Sequence, residues 1–392
     1  MKDIEKVLKE LDNKKWHYVH RRARSVFHQY VMTMGACLHL NKKIKFPYEI
    51  QMIGIDSHLA LGQKEWDNLG LLMQKEIEKN GNFLIKLMNE SYNLNEKMEE
   101  FCLKLEKTDY SKVSKEKLIT FWNKYLELIY TSGAYVIFPL FAENYLQVKL
   151  KEVINANKKI TSIDKDKAFQ ILTTPIKAGV VQCEEKSLLS MAVKISQGKN
   201  IDQVVKNHLR EFAWIKNNKM DGSFYSEEET LERVNHLVKN NPEKKLKEYQ
   251  EKIAKAGVDF KFYRKYFSGN KKVLSIIDTL QEAIYFRSWR TERYYRNAYF
   301  LQSFFNETAK RLKLEKPNDI FQLKADEIIN GLKTKLKVDY SIINDRSKKY
   351  VLYSNFKRVY IFSGSEADLI EKSVKLTEVS SDSQIKGMVA YA

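Results

Sequence analysis

Proline and glycine are scarce in this chain, and their scarcity limits what it can fold into. Only 5 prolines and 14 glycines occur among 392 residues, well below ordinary usage. Because proline breaks helices and glycine weakens them, such a composition favours long helices joined by few tight turns. Trp66, Leu69, Leu72 and Met73 recur at three- and four-residue spacing, as on one helix face. We therefore predict a mainly α-helical protein built as a multi-helix body.

Changes along the chain predict four segments. We expect an N-terminal helical subdomain over 1–160 and a second over 161–335, followed by a small α+β segment over 336–379. The residues 380–392 are interpreted as a polar linker and the first strand of a further, truncated domain. Two strands, 349–353 and 358–362, are predicted on either side of a polar turn. Pro139 predicts a kink or break near Ile137.

Charge and cysteine usage suggest where the protein works. The formal net charge is +18, which attracts anions such as nucleic acid, nucleotide or an acidic partner, although a generally lysine-rich background gives the same total. Cys37, Cys102 and Cys183 are far apart and suit a reducing compartment. No uncharged apolar run is long enough to span a membrane, and the acidic N-terminus does not resemble a secretory signal. We predict a cytoplasmic protein without a membrane partner.

An arginine-rich stretch is the most conspicuous candidate site. Arginines recur every third residue between tyrosines and a tryptophan, at Arg287, Arg290, Arg293 and Arg296. On a helix each would neighbour the next, and the guanidinium fork suits phosphate or carboxylate. One interpretation is an anion-binding helix facing a cleft. The other is pairing with glutamates of the same chain and stacking on the aromatic rings.

A second basic and aromatic stretch runs from Trp16 to Arg24. Arg21 and Arg22 are the second candidates for anion contact, and the four-residue spacing of His20 and Arg24 would place them together on a helix. The alternative is the start of a helix with a solvated basic face, packed by Trp16. Either interpretation assumes that this stretch is helical.

Motifs for other chemistries are weak or missing from the sequence. It has no glycine-rich phosphate loop, no dinucleotide-binding fingerprint and no nucleophile elbow. His208 and Glu211 form a single His-x-x-Glu pair, whereas a di-iron helical bundle needs two. We therefore expect no metal, and nucleic-acid binding is not favoured because it rests on charge alone.

Several segments, taken in order, resemble the phosphoenolpyruvate-utilising family, which includes phosphoenolpyruvate synthase, pyruvate phosphate dikinase and rifampin phosphotransferase. They are 16–22, 111–118, 172–175 with Glu184 and Glu185, 208–214, 287–296, 321–328 and 386–390. The similarity is closest to short members that have a helical body and a swivelling phosphohistidine domain but no ATP-grasp half. It covers nearly the whole chain as a series of short motifs.

The resemblance implies a substrate-holding or docking body of a phosphohistidine-dependent phosphotransferase. The phosphocarrier histidine would lie on a domain after the Lys386-Gly387 opening, so no residue of this chain is assigned a catalytic role and the chain alone would be inactive. ATP and Mg²⁺ would enter only through a separate ATP-grasp protein, and the acceptor would be a small molecule. The rival hypotheses are a non-catalytic basic scaffold that binds an acidic protein or nucleic acid and, less favoured, a metal-dependent helical oxygenase.

Overall fold

The protein is mainly α-helical, as predicted. A computed structural model describes residues 2–22, 24–40, 50–55, 57–216, 220–334 and 338–374. Over these residues it contains 16 α-helices and one five-stranded antiparallel sheet. The linker and strand predicted over 380–392 lie outside the described residues.

The helices follow one another with short connections. In chain order they are α1 (Lys2–Leu11), α2 (Val26–Thr33), α3 (Gln63–Lys79), α4 (Phe83–Glu106), α5 (Lys115–Gly133), α6 (Phe138–Ala156), α7 (Asp164–Thr173), α8 (Val180–Ser196), α9 (Asp202–Phe212), α10 (Glu227–Val238), α11 (Pro242–Lys265), α12 (Lys271–Phe300), α13 (Gln302–Arg311), α14 (Ala325–Thr334), α15 (Tyr340–Lys348) and α16 (Gly364–Ser373). A π-helical segment, Met34–His39, continues α2.

Several helix boundaries follow from single residues, as the sequence predicts. The Ser114 hydroxyl accepts a hydrogen bond from the Lys117 amide and caps α5. Ser226 and Glu229 form a reciprocal capping box at the start of α10. Pro139 lies in the first turn of α6, where its missing N–H costs nothing, so the helical stretch is interrupted just before it. The predicted break near Ile137 is confirmed.

Two compact units interleave along the sequence. Unit 1 comprises residues 1–71, 114–134 and 308–392, and unit 2 comprises 72–113 and 135–307. These limits do not coincide with the boundaries at 160, 335 and 379 that the sequence suggests. Composition and turn residues mark where a chain segment ends, but they carry no information about which distant segments pack together.

Unit 1 contains the sheet. Its strands are β1 (Trp16–Arg21), β2 (Met52–Ile55), β3 (His58–Gly62), β4 (Tyr350–Asn355) and β5 (Arg358–Ser363). They are ordered β1-β3-β2-β4-β5 and all neighbours are antiparallel. Apolar side chains from α1 and α16 share one buried cluster with the sheet, including Val7, Ile53, Val351 and Ile370. The two strands predicted near the C-terminus are confirmed as β4 and β5.

The helical interpretation of the stretch from Trp16 to Arg24 is wrong. Trp16–Arg21 is the edge strand β1, paired with β3 through Trp16 opposite Gly62 and Arg21 opposite His58. Aromatic and β-branched residues fit a pleated surface, and here a partner strand is available to satisfy the backbone. The four-residue spacing of His20 and Arg24 therefore does not place them on a common helix face.

Unit 1 also has a close backbone approach between the π-helical segment and α5. The indole Nε1 of the fully buried Trp122 on α5 donates to the Thr308 hydroxyl at 2.9 Å, and its ring meets Phe27 of α2 edge to face. Nearby, a Cβ atom placed on Gly35 would lie 2.5 Å from the Gly133 Cα and 2.8 Å from the Tyr130 carbonyl oxygen. Only glycine allows the two backbones to come this close.

One apolar stretch of the described chain has the length and composition of a membrane span. It is Lys115–Ala156, which contains α5 and α6, and 72% of its most apolar window is buried within the protein. Such burial fits a core helix of a soluble protein.

We predict that Gly35→Ala destabilises the protein by about 2 kcal/mol or more, because the new methyl group meets backbone atoms that cannot move aside independently. Gly257→Ala is the matched control, since Gly257 lies within α11 with no atom near its missing Cβ. The control should be neutral or stabilising by up to about 1 kcal/mol. Chemical denaturation measures both, and similar free energies of unfolding for the two variants would contradict the close packing.

Candidate functional site

The candidate site lies along α12, the longest described helix, in unit 2. The Asn270 side chain accepts a hydrogen bond from the Val273 amide and starts the helix, and neither proline nor glycine interrupts the next 30 residues. Apolar residues such as Ile277, Leu280 and Phe286 bury one side of the helix. The arginines follow in its second half, where α4 and α6 pack against it.

Arg287 forms an ion pair with a buried carboxylate. Its Nη1 lies 2.7 Å from Oε2 of Glu143 on α6. The Arg287 side chain is 47% exposed whereas that of Glu143 is 4% exposed, so the guanidinium forms the solvent side of the pair. Burial raises the pKa of Glu143 from 4.5 to about 7, although the charges of Arg287 and Arg290 lower it. This carboxyl group therefore changes its protonation near neutral pH.

Arg290 has a structural position. Its side chain is buried, and its Nε donates to the Val136 carbonyl at 2.8 Å while Nη1 donates to the Arg287 carbonyl. Both contacts are to the main chain, and the first fastens the segment before α6 to α12. A ligand in solvent could reach this guanidinium only if the packing opened.

Arg293 and Arg296 share a carboxylate supplied by α4. Glu99 lies 2.6 Å from Arg293 through Oε2 and 2.8 Å from Arg296 through Oε1. Arg296 also reaches Glu211 of α9 at 2.7 Å. The guanidinium groups lie over the rings of Trp289 and Phe300. These two arginines thus make the intramolecular pairs and ring contacts that the sequence offered as the alternative to anion binding.

Glu292 is a second carboxyl group with an unusual environment on α12. Burial raises its pKa from 4.5 to about 7, against the opposing charge of Arg293. Cys183 of α8 and Tyr285 lie within its electrostatic reach, and burial together with the negative charge of Glu292 raises the pKa of both groups. Carboxyl groups that titrate near neutral pH are typical of functional sites, and they also occur in structural networks.

Several buried polar atoms on and around this helix have no hydrogen-bond partner among the described residues. They are Glu143 Oε1, Asn95 Oδ1, Arg296 Nε and both amide atoms of Asn297. Such atoms are costly in a protein interior and usually mark a water, a ligand or a functional strain. We call α12 from Arg287 to Asn297, with Glu143, Glu99 and Glu211, the polar layer of unit 2.

The second pair of predicted site residues lies in unit 1, at the sheet edge. Arg21 ends β1 and Arg22 follows it, and both are exposed. The Arg22 amide donates to the Ser57 carbonyl at 2.7 Å, and Arg21 Nε donates to the Ser57 hydroxyl at 3.4 Å, so Ser57 holds this segment. Two concave regions of the described surface lie elsewhere, one beside Lys14 and Glu65 and one beside Asn82 and Lys271.

The His208–Glu211 pair does not assemble a metal site in the described part of the chain. His208 Nδ1 lies 2.9 Å from the Ser187 hydroxyl, and burial, with a smaller effect of Arg233, lowers its pKa to about 4. Glu211 points to Arg296 instead. No group of three or more histidine, cysteine, aspartate or glutamate side chains within the described ranges could hold a metal ion.

Sequence reasoning identified the arginines but missed their carboxylate partners. Glu143 had a usable signal, because it is the lone acid after the apolar run of residues 137–142. Glu99 and Glu211 had none, since each belongs to a helix rich in charged residues.

No family model matches the chain, and no curated protein matches it either.

We predict that Glu143→Gln flattens the pH dependence of stability. Because folding raises the pKa of Glu143 from 4.5 to about 7, its stabilising effect is complete below pH 4.5 and is lost as the pH rises through 7. Between pH 4.5 and 7 the unmodified protein should lose up to about 3 kcal/mol of its free energy of unfolding through this group, and the variant should not show that loss. Denaturant melts at a series of pH values measure it.

Glu152→Gln is the control for this prediction, because Glu152 lies on the same helix and pairs with Lys149 at the surface. Its stability profile should parallel that of the unmodified protein. If the Glu143 variant also keeps the unmodified profile, Glu143 does not titrate as the structure indicates.

Proposed function

We propose that this chain is the substrate-holding helical body of a phosphohistidine-dependent phosphotransferase similar to phosphoenolpyruvate synthase. The polar layer of unit 2 is the observation that carries the proposal. It places a half-exposed arginine, two carboxyl groups with pKa values near 7 and several buried polar atoms along one helix.

Three of the segments that carry the family resemblance, 172–175, 208–214 and 287–296, lie in unit 2 and contact α12 or belong to it. Glu211, from the segment 208–214, pairs with Arg296 from the segment 287–296. The Gln281 side-chain amide, one and a half turns before Arg287, donates to the carbonyls of Leu172 and Thr174 at 2.7 Å each. Residues that are distant in the sequence thus support one helix, which favours a common function for them.

Phosphoryl transfer mainly requires charged groups that are positioned around the phosphoryl group as it moves. In the proposed reaction the N–P bond of a phosphohistidine breaks, an O–P bond to the acceptor forms, and the acceptor hydroxyl loses its proton. Arg287 is the arginine we assign to the acceptor or the incoming phosphoryl group, because half of its side chain meets solvent. The other three hold the layer together. A carboxylate with a pKa near 7, such as that of Glu292, is suited to accept the proton that the acceptor hydroxyl loses.

The partners follow from the same proposal. A phosphohistidine domain, tethered or separate, would deliver the phosphoryl group in the cytoplasm. A separate ATP-grasp protein would charge that domain with ATP and Mg²⁺. The acceptor would be a small molecule with a hydroxyl or enolate oxygen.

A basic scaffold remains the second candidate, favoured by the exposed Arg21 and Arg22 at an open sheet edge and by the net charge of +18. Titration with a nucleic-acid oligomer at two salt concentrations separates the two functions. Tight binding with a steep salt dependence would favour the scaffold, because counterion release sets that slope.

We predict that Arg287→Gln in the complete phosphotransfer system lowers phosphorylation of the acceptor at least about ten-fold, since one charge-assisted contact is lost. Formation of the acid-labile phosphohistidine should be unchanged. Radiolabelled phosphate from ATP or phosphoenolpyruvate, followed into the phosphohistidine and into a metabolite mixture, measures both steps.

Arg264→Gln is the matched control, because Arg264 makes a two-point ion pair with Asp278 of α12 but lies away from the polar layer. It should phosphorylate the acceptor normally. Equal losses in both variants, or no phosphoryl transfer by the complete system, would refute the proposal.

A further inference from the structure

A cluster of basic side chains surrounds the start of α2 in unit 1. His20 lies in β1, Arg22 and Arg24 follow it, and His28 lies in the first turn of α2. Arg24 Nη2 and His20 Nε2 are 3.3 Å apart. His28 is buried, and the charges of Arg24, His20 and Arg22 all reach it. Four basic groups therefore converge within nine residues of chain.

The fold fixes the main chain that carries these groups. A bulge between Tyr18 and His20 shifts the register of β1 against β3, and such bulges redirect the side chains beside them. The Arg22 amide donates to the Ser57 carbonyl, and the Tyr350 hydroxyl of β4 donates to the Arg24 carbonyl at 2.8 Å. The cluster is thus prearranged by the sheet.

Ser25 adds a buried hydroxyl to the same place. It occupies the N-cap position of α2, with φ −71° and ψ 161°, but its side chain does not cap the helix. The residue is only 4% exposed, and its Oγ has no hydrogen-bond partner within the described part of the chain. A serine at this position normally bonds to a helix amide, and helix N-termini bind anions, so the Ser25 hydroxyl is available to donate a hydrogen bond to an anion there.

The electrostatic field at the cluster and the exposure of its side chains both favour a negatively charged ligand. Burial, followed by the charges of Arg24, His20 and Arg22, lowers the pKa of His28 well below its ordinary value. The positive end of α2 adds to the same field. His20 and Arg24 are partly exposed and Arg22 is exposed, so a dissolved ion can approach from that side, with His28 and Ser25 buried beneath them.

We propose that the cluster of His20, Arg22, Arg24, Ser25 and His28 binds a phosphoryl group, either as free phosphate or as a phosphate ester. Arg24 would supply a charged guanidinium fork, Ser25 a hydroxyl donor and the imidazoles further N–H donors. Donors from several directions suit a tetrahedral oxyanion better than a planar carboxylate. This site lies in unit 1 and does not depend on the function proposed for the polar layer of unit 2.

The test uses the imidazole signals of the intact protein in NMR spectra. Titration with inorganic phosphate should shift the His28 and His20 signals in a saturable way, while chloride at equal ionic strength should not. Glycerol 3-phosphate is the second probe, and tighter binding of this ester would identify an organic phosphate as the source. Absence of any saturable shift with either probe would overturn the proposal.

Two variants locate the binding. Arg24→Gln should weaken phosphate binding at least about ten-fold, and Ser25→Ala about three- to ten-fold, as expected for losing a charged and a neutral hydrogen bond. The Ser25 hydroxyl has no hydrogen-bond partner among the described residues, so its removal should leave the melting temperature nearly unchanged. Arg358→Gln is the control, an exposed arginine of unit 1 that pairs with Asp3. If this control weakens binding as much as Arg24→Gln, the effect is general surface charge and the site is refuted.

Discussion

Charge compensation on α12 is the constraint on which unit 2 depends. Four arginines occur within ten residues of one helix, and the burial of Arg290, Arg293 and Arg296 is tolerable only because other elements bring groups to meet them. Glu143 comes from α6, Glu99 from α4 and Glu211 from α9, while the Val136 carbonyl receives Arg290. Each pair ties a different segment to α12. The pairs therefore specify which helices assemble around it, in addition to neutralising its charge.

The same arrangement gives the helix its chemical character. Pairing removes most of the positive charge that the sequence displays, so the net field along α12 is much weaker than four arginines suggest. What remains is a half-exposed Arg287 and the carboxyl groups of Glu143 and Glu292, which titrate near neutral pH because they are desolvated. A site of this kind suits a polar ligand and proton movement better than simple attraction of an anion.

Unit 1 shows the opposite balance. Its basic cluster at the start of α2 gathers His20, Arg22, Arg24 and His28, which the edge strand and the helix bring together. Backbone hydrogen bonds from Arg22 and to Arg24 hold the segment between β1 and α2 in place. Here basic groups from the edge strand and the helix lie together, and this is the site proposed for a phosphoryl group.

The sequence alone determined the helical class, the caps at Ser114 and Ser226, the break before Pro139 and the strands β4 and β5, because each depends on neighbouring residues and their local backbone preferences. It did not determine that 16–21 is a strand, since that outcome needed the distant β3 as a partner. Nor did it determine the partners of the arginines. Which glutamate faces which guanidinium is decided by packing between segments up to about 200 residues apart, and no local pattern records that choice.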